Sequence, residues 1–239
     1  MVVNYLTLYS LNLQRSEITQ EMFHRLLNQQ SPVDQQRVLK HHFWKDQCTA
    51  LGGACLVRYA LTRHLGTTLT LMDTLRDGFG RPYSPHLRNL GGDFNVSHHG
   101  LWIVCALSAV GQVGADIACD HDFHSTMASV FLSQREQKFI SELDVSYKLI
   151  TMAKFWAIKE AILKMCGCGL SVDPQSLEFN MAAWEMGTVH FTLPKSLWPP
   201  QWVHIRDLAS PNVVLAMCSE VPPVGVFEHQ VEWNELYEV

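Results

Sequence analysis

The chain has 239 residues, 47% of them hydrophobic and 17% charged, the balance of an ordinary globular protein with room for one large domain or two small ones. A formal charge of −5 argues against a general nucleic-acid binder, yet it permits a local basic pocket for a small anionic ligand. The seven cysteines are odd in number and lack a CxxC pair, so they read as small core hydrophobes in a reducing compartment. No apolar run of about twenty residues is present to span a bilayer, and the first residues lack the charged n-region and cleavage site of a signal peptide. The expectation is a cytoplasmic protein.

Residues Val2–Tyr9 are β-rich and alternate weakly, predicting a first strand. Ser31-Pro32-Val33-Asp34 predicts a helix start, with Ser31 as N-cap, Pro32 at N1 and Asp34 at N3, and the pattern runs on through Val38, Leu39 and Phe43. A further helix is predicted from about Leu51 through Tyr59 to Gly66, its start weakened by Gly52-Gly53. Gly78–Tyr83 and Gly91-Gly92 read as turns. Phe94–Val96 and Trp102–Leu107 predict short strands joined by a Ser97-His98-His99-Gly100 turn, and Val113–Ala118 predicts another. Ser133-Gln134-Arg135-Glu136 is a second capping box, opening a helix toward Leu143. A long helix carrying Phe155–Leu170 follows, ending near Gly167 and Gly169, and then strand-like segments at Thr188–Leu193, Trp202–Arg206 and Val213–Cys218. This order predicts an α+β fold of two similar halves, each a small antiparallel sheet packed against helices. The N-terminal half covers 1–112 and the C-terminal half 113–239, with no linker between them.

Three places concentrate polar chemistry. Glu160 and Lys164 are four residues apart and share a helical face. As a solvated pair they would contribute only about 0.3–0.5 kcal/mol. Their setting among Phe155, Trp156, Ile158, Ile162 and Leu163 argues for a less ordinary role. Ser97 and His98 are suitable donors to phosphate oxygens. The adjacent pair His98-His99 also suggests a transition-metal site, but neighbours on a strand point to opposite faces, which argues against one shared ion. Asp116 lies in an apolar strand, and a buried carboxylate needs a partner or a cation. Read alone it fits a strand end or a metal ligand equally well. Paired with Glu160 it would make a hard oxygen site suited to Mg²⁺. The Cys166-x-Cys168 pair has no second cysteine pair and falls far short of a zinc pattern.

Together the segments FNVSHHGLWIVCA, VGADIA and FWAIKEAILKMCGCGL, in that order, resemble the signature of the Sfp-type 4′-phosphopantetheinyl transferases, with Gly80-Arg81-Pro82-Tyr83 resembling the family's GKPY-like element. The resemblance implies a pseudo-twofold α+β fold that binds coenzyme A in the cleft between the halves. It also implies transfer of the phosphopantetheine arm to a serine of a carrier protein, releasing 3′,5′-ADP. By motif, Asp116 and Glu160 would hold Mg²⁺ on the CoA pyrophosphate. Glu160 would serve as base, directly or through water, and Lys164 would stabilise the phosphates. Ser97, His98 and Arg81 would contact CoA phosphates, and Lys45 would reach the 3′-phosphate, with Arg37 as a weaker candidate.

Two positions depart from the family pattern. Ala118 stands where the bacterial GxDxE has its Glu, which resembles the subgroup of the animal enzyme. The resemblance then implies His99 as the replacement ligand, an arrangement suited to contact through water or to Mn²⁺ in place of Mg²⁺. Thr49 stands near an expected Arg, with Lys45 or Arg63 as compensating residues. The implied acceptors are carrier proteins of fatty-acid, polyketide, peptide-synthetase or aminoadipate-reductase type, with the loop Asp120–Ser133 as a candidate acceptor surface. A monomer is expected, with neither nucleic acid nor membrane as partner. The alternatives are a non-catalytic CoA- and carrier-binding module of the same fold and a metal-dependent hydrolase using Asp116, Glu160 and the histidines. The joint presence of Lys159, Glu160 and Lys164 argues against the first.

Overall fold

The computed structural model describes residues 4–15, 17–66, 74–185, 189–208 and 212–238. In chain order, β1 (Tyr5–Asn12) is followed by the helices α1 (Gln20–Asn28), α2 (Pro32–Leu39) and α3 (Trp44–Leu65). A two-residue hairpin, β2 (Leu75–Arg76) with β3 (Pro82–Tyr83), then leads through α4 (Pro85–Asn89) into β4 (Asp93–His99) and β5 (Trp102–Ser108). Next come β6 (Val113–Cys119), α5 (Ala128–Phe131), α6 (Gln134–Glu142) and α7 (Val145–Met165). The chain closes with β7 (Glu178–Phe179), α8 (Met181–Glu185), β8 (Phe191–Thr192), β9 (Trp202–Asp207), β10 (Val213–Ser219) and β11 (Gly225–Val231). It divides into two compact units, Met1–Gly111 with Pro223–Val239, and Gln112–Pro222.

In the first unit the sheet order is β11-β1-β5-β4. The β1–β5 and β5–β4 pairs are antiparallel, whereas β11 joins β1 in parallel, Tyr5 opposite Gly225 and Leu11 opposite Val231. Helix α3 packs on the face that presents Leu11, Ile103 and Cys105. The Gly52-Gly53 pair does not interrupt α3. A Cβ on Gly52 would stand 2.6 Å from Ile103 Cδ1 and 3.2 Å from Trp233, so the missing side chain lets helix and sheet approach closely. Gly66 ends the helix in the left-handed conformation, φ 64°, as its position at C′ predicts.

The second unit holds the antiparallel sheet β6-β10-β9, with α7 lying across it. Gly114 on β6 is the point of closest approach: a Cβ there would fall 1.9 Å from the Ala161 carbonyl oxygen of α7. The capping box at Ser133 forms as predicted, Ser133 Oγ accepting from the Glu136 N–H while a Glu136 carboxylate oxygen accepts from the Ser133 N–H at 2.9 Å. That carboxylate also accepts from Lys159 Nζ at 2.7 Å and from the Phe179 N–H at 2.9 Å. Lys159 donates further to the carbonyls of Phe131 and Pro174, and both members of the ion pair are fully buried.

Several local expectations shift. The α+β class and the small sheets packed on helices are found, with β11 adding one parallel pair. Val2 and Val3 of the predicted first strand, and Thr188 of a later one, lie outside the described residues. The sequence reading missed α1, which Thr19 caps by accepting from the Met22 N–H. Helix α2 stops at Leu39 and Phe43 is the N-cap of α3, which therefore starts well before Leu51. Ser97, His98 and His99 extend β4, and only Gly100 and Leu101 make the turn. The boundary at 113 assigned the whole remaining chain to the second half, but 223–239 returns to the first unit because β11 satisfies the outer edge of β1.

Candidate active site

In the second unit, the close approach at Gly114 sets Asp116 on β6 beside one face of α7. Lys164 Nζ donates to Asp116 Oδ1 at 2.5 Å, with the carboxylate buried and the ammonium partly exposed. Glu160, one turn earlier on the same helical face, is half-buried, and its Oε1 has no hydrogen-bond partner. Burial pushes its pKa up, the neighbouring Asp116 carboxylate adds to that, and Lys164 opposes it. Two carboxylates with a shared lysine and an unsatisfied buried oxygen form the donor set that a hard divalent cation takes. Lys159, adjacent in sequence, is directed elsewhere, into its pair with Glu136. Ala118, also on β6, offers no donor.

In the first unit a cavity of about 630 Å³ opens beside α3, a size typical of small-molecule sites. Arg37, Lys45, Arg58 and Arg76 line it with His41 and His98, facing the carboxylates of Asp34 and Asp46. A chain of net charge −5 thus gathers four permanent cations around one hollow, an environment for a polyanion. The scaffold fixes several of them. Arg76 donates to Asp34 at 3.0 Å and to the Gly80 carbonyl at 2.9 Å, and Arg58 donates to the Gln29 carbonyl at 2.7 Å.

The structure thus brings Lys45 and His98 together, with Arg37 and Thr49 beside them. Ser97 and His99 sit on the opposite face of β4, since Val96 and His98 are the strand residues that line the cavity. Ser97 is buried and His99 half-buried. Arg81 is not a lining residue: it pairs with Asp93 at 2.5 Å and reaches the Phe94 carbonyl, both partners being largely buried. Arg63 lies over the Tyr59 ring. The residues that sequence reasoning missed are Arg58 and Arg76. Lys45, Thr49, Gly53 and Val57 follow one another at four-residue spacing along the cavity wall, with Arg58 flanking the row, a stripe visible only when the helix is started at Trp44.

Comparison with known proteins gives these two constellations a common family. The model of the 4′-phosphopantetheinyl transferase superfamily matches residues 112–218, and that of the 4′-phosphopantetheinyl transferase N-terminal region matches residues 16–110. The chain belongs to the 4′-phosphopantetheinyl transferase superfamily. It is 25% identical over 219 residues to the 4′-phosphopantetheinyl transferase Sfp of Bacillus subtilis, covering 92% of this chain and 95% of that one. It is 27% identical over 178 residues to the L-aminoadipate-semialdehyde dehydrogenase-phosphopantetheinyl transferase of Xenopus laevis, covering 66% of this chain and 57% of that one. A solved holo-(acyl-carrier-protein) synthase of Bacillus anthracis shares 20% identity at a TM-score of 0.37, over 45% of this chain and 92% of that one. The chain is accordingly a transferase that moves the phosphopantetheine arm of coenzyme A to carrier proteins.

Proposed function

We propose that Asp116, Glu160 and Lys164 act at the reacting phosphate of coenzyme A, and that the cationic cavity holds the rest of its phosphates. The observation that carries this reading is the buried, unpartnered Glu160 Oε1 beside the Asp116–Lys164 pair. Mg²⁺ bound by Asp116 and Glu160 would supply charge neutralisation at the pyrophosphate, the chief demand of phosphoryl transfer. Glu160 takes the proton of the acceptor serine hydroxyl, directly or through water, a role its raised pKa favours. Lys164 neutralises charge on the departing 3′,5′-ADP. Lys45 and His98, joined by Arg37, Arg58 and Arg76, orient coenzyme A by its phosphates. His99 is the proposed third ligand in place of the Glu that Ala118 lacks, which makes Mn²⁺ a substitute for Mg²⁺. Ser97 is proposed as a phosphate donor, and the chain as a monomer.

The test is incubation with CoA, Mg²⁺ and apo carrier domains of fatty-acid, polyketide, peptide-synthetase and aminoadipate-reductase type, read by intact mass. At least one carrier gains the mass of one phosphopantetheine group. No gain on any of them overturns the reading, and the pattern of gains identifies the acceptor class.

A further inference from the structure

We propose that Cys119, Asp120 and His121 form a second metal site, one that takes a borderline-soft divalent cation such as Zn²⁺. Cys119 Sγ lies 3.3 Å from His121 Nδ1 and 3.8 Å from Asp120 Oδ1, and Nδ1 and Oδ1 are 2.6 Å apart. Zinc bonds of ~2.3 Å to sulfur and ~2.0–2.2 Å to nitrogen and oxygen place tetrahedral ligand atoms roughly 3.3–3.6 Å from one another. Two edges of the observed triangle are already near that range. The third opens by a small swing of the imidazole, which is exposed.

Successive residues of a strand point to opposite faces, so convergence of three in a row requires a break in the extended chain. Here β6 ends at Cys119 and a single 3₁₀ turn, Asp120–Asp122, follows, closed by the Phe123 N–H on the Asp120 carbonyl at 3.1 Å. The Asp120 N–H donates to the Asn212 carbonyl at 3.1 Å, tying the turn to the chain entering β10. The backbone beneath the three donors is therefore fixed before any ion arrives. Among the described residues no other group of three His, Cys, Asp or Glu side chains converges in this way.

The donor set separates this site from the carboxylate pair of Asp116 and Glu160. Thiolate and imidazole select zinc or cobalt over magnesium, whereas carboxylate oxygens suit magnesium. Three protein donors leave a fourth position for water. The roles assigned to Asp116, Glu160 and Lys164 do not involve these side chains, so a metal readout tests the site apart from the transfer chemistry.

The reduced protein is titrated with Co²⁺ in excess Mg²⁺ and followed by absorption. A thiolate-to-cobalt charge-transfer band with tetrahedral d–d bands is expected, bleached by Zn²⁺. Cys119→Ser abolishes the charge-transfer band, and His121→Ala, at an exposed position, weakens cobalt binding by more than about tenfold, the least that losing even an outer hydrogen-bond partner of a ligand costs. Cys166→Ser and Cys168→Ser retain the band, and transfer of phosphopantetheine in Mg²⁺ is unchanged in Cys119→Ser. Absence of the band in the wild-type protein overturns the proposal. So does a band that survives Cys119→Ser or His121→Ala at full affinity.

Discussion

Glu160 is a carboxylate that the fold holds at a disadvantage. Burial and the adjacent Asp116 raise its pKa above the ordinary 4.5, so the folded chain binds this proton more tightly than the unfolded one does. Its contribution to stability is therefore full below that ordinary value and is lost as pH rises through the raised one. Glu160→Gln keeps a neutral group at every pH. The variant should match the wild type in Tm under acid conditions and exceed it near neutrality, while transfer is almost abolished. Mg²⁺ at neutral pH should raise the wild-type Tm and leave that of the variant unchanged. A variant less stable than wild type at neutral pH would show that Glu160 is satisfied rather than strained. Its sequence neighbour Lys159 does a different job. The fully buried Lys159–Glu136 pair ties α7 to the start of α6 and to the carbonyls of Phe131 and Pro174. Lys159→Ala strands a buried carboxylate, which typically costs about 3–5 kcal/mol. Urea unfolding measures this, and a loss below about 1 kcal/mol would contradict the assignment.

At the scale of elements, two glycines set how near a helix comes to a sheet, and they differ in what they face. A Cβ on Gly52 would meet the end of the Ile103 side chain at 2.6 Å, an atom that can move. A Cβ on Gly114 would meet the backbone of α7 at Ala161, which moves only by displacing the helix. Gly114→Ala should therefore cost at least the 1–3 kcal/mol or so of an overpacked core and should shift Asp116 away from Glu160, lowering both Tm and transfer. Gly52→Ala should be milder, since helix propensity returns about 1 kcal/mol. Equal losses would refute the distinction. Helix α3 carries the stripe from Lys45 to Arg58 along the cavity wall. If Lys45 meets the 3′-phosphate, Lys45→Ala raises KM for CoA by about tenfold or more, the size of a lost charge-assisted hydrogen bond. The same change leaves KM for dephospho-CoA nearly unaltered. A similar effect on both substrates would place Lys45 elsewhere on the molecule.

For the whole molecule, the last segment closes the first unit. Strand β11 covers the edge of β1 in parallel, and Trp233 and Leu236 beyond it are buried in the core of α3 and the sheet. Truncation after Pro222 exposes that edge and empties those positions. The truncated chain should lose its cooperative thermal transition or aggregate, as read by circular dichroism and light scattering. A soluble truncation with an unchanged Tm would contradict this role for β11.

Much of this was legible in the sequence. The caps at Ser31 and Ser133, the left-handed Gly66 and the strands β6, β9 and β10 follow from hydrogen bonding and periodicity between near neighbours, which a linear chain displays directly. The motif residues Asp116, Glu160 and Lys164 and their chemical types were likewise on view. Tertiary structure alone decided which of these two lysines of α7, Lys159 or Lys164, pairs with Asp116. Lys164 meets Asp116 from 48 residues away, and Lys159 meets Glu136 from 23. It also decided that Arg81 is engaged with Asp93 while Arg58 and Arg76 line the cavity, and that residues beyond 222 belong with the first strand. The physical reason is common to all of these. Burial and ion pairing depend on partners brought close by folding, and a sequence records the residue but not the distance.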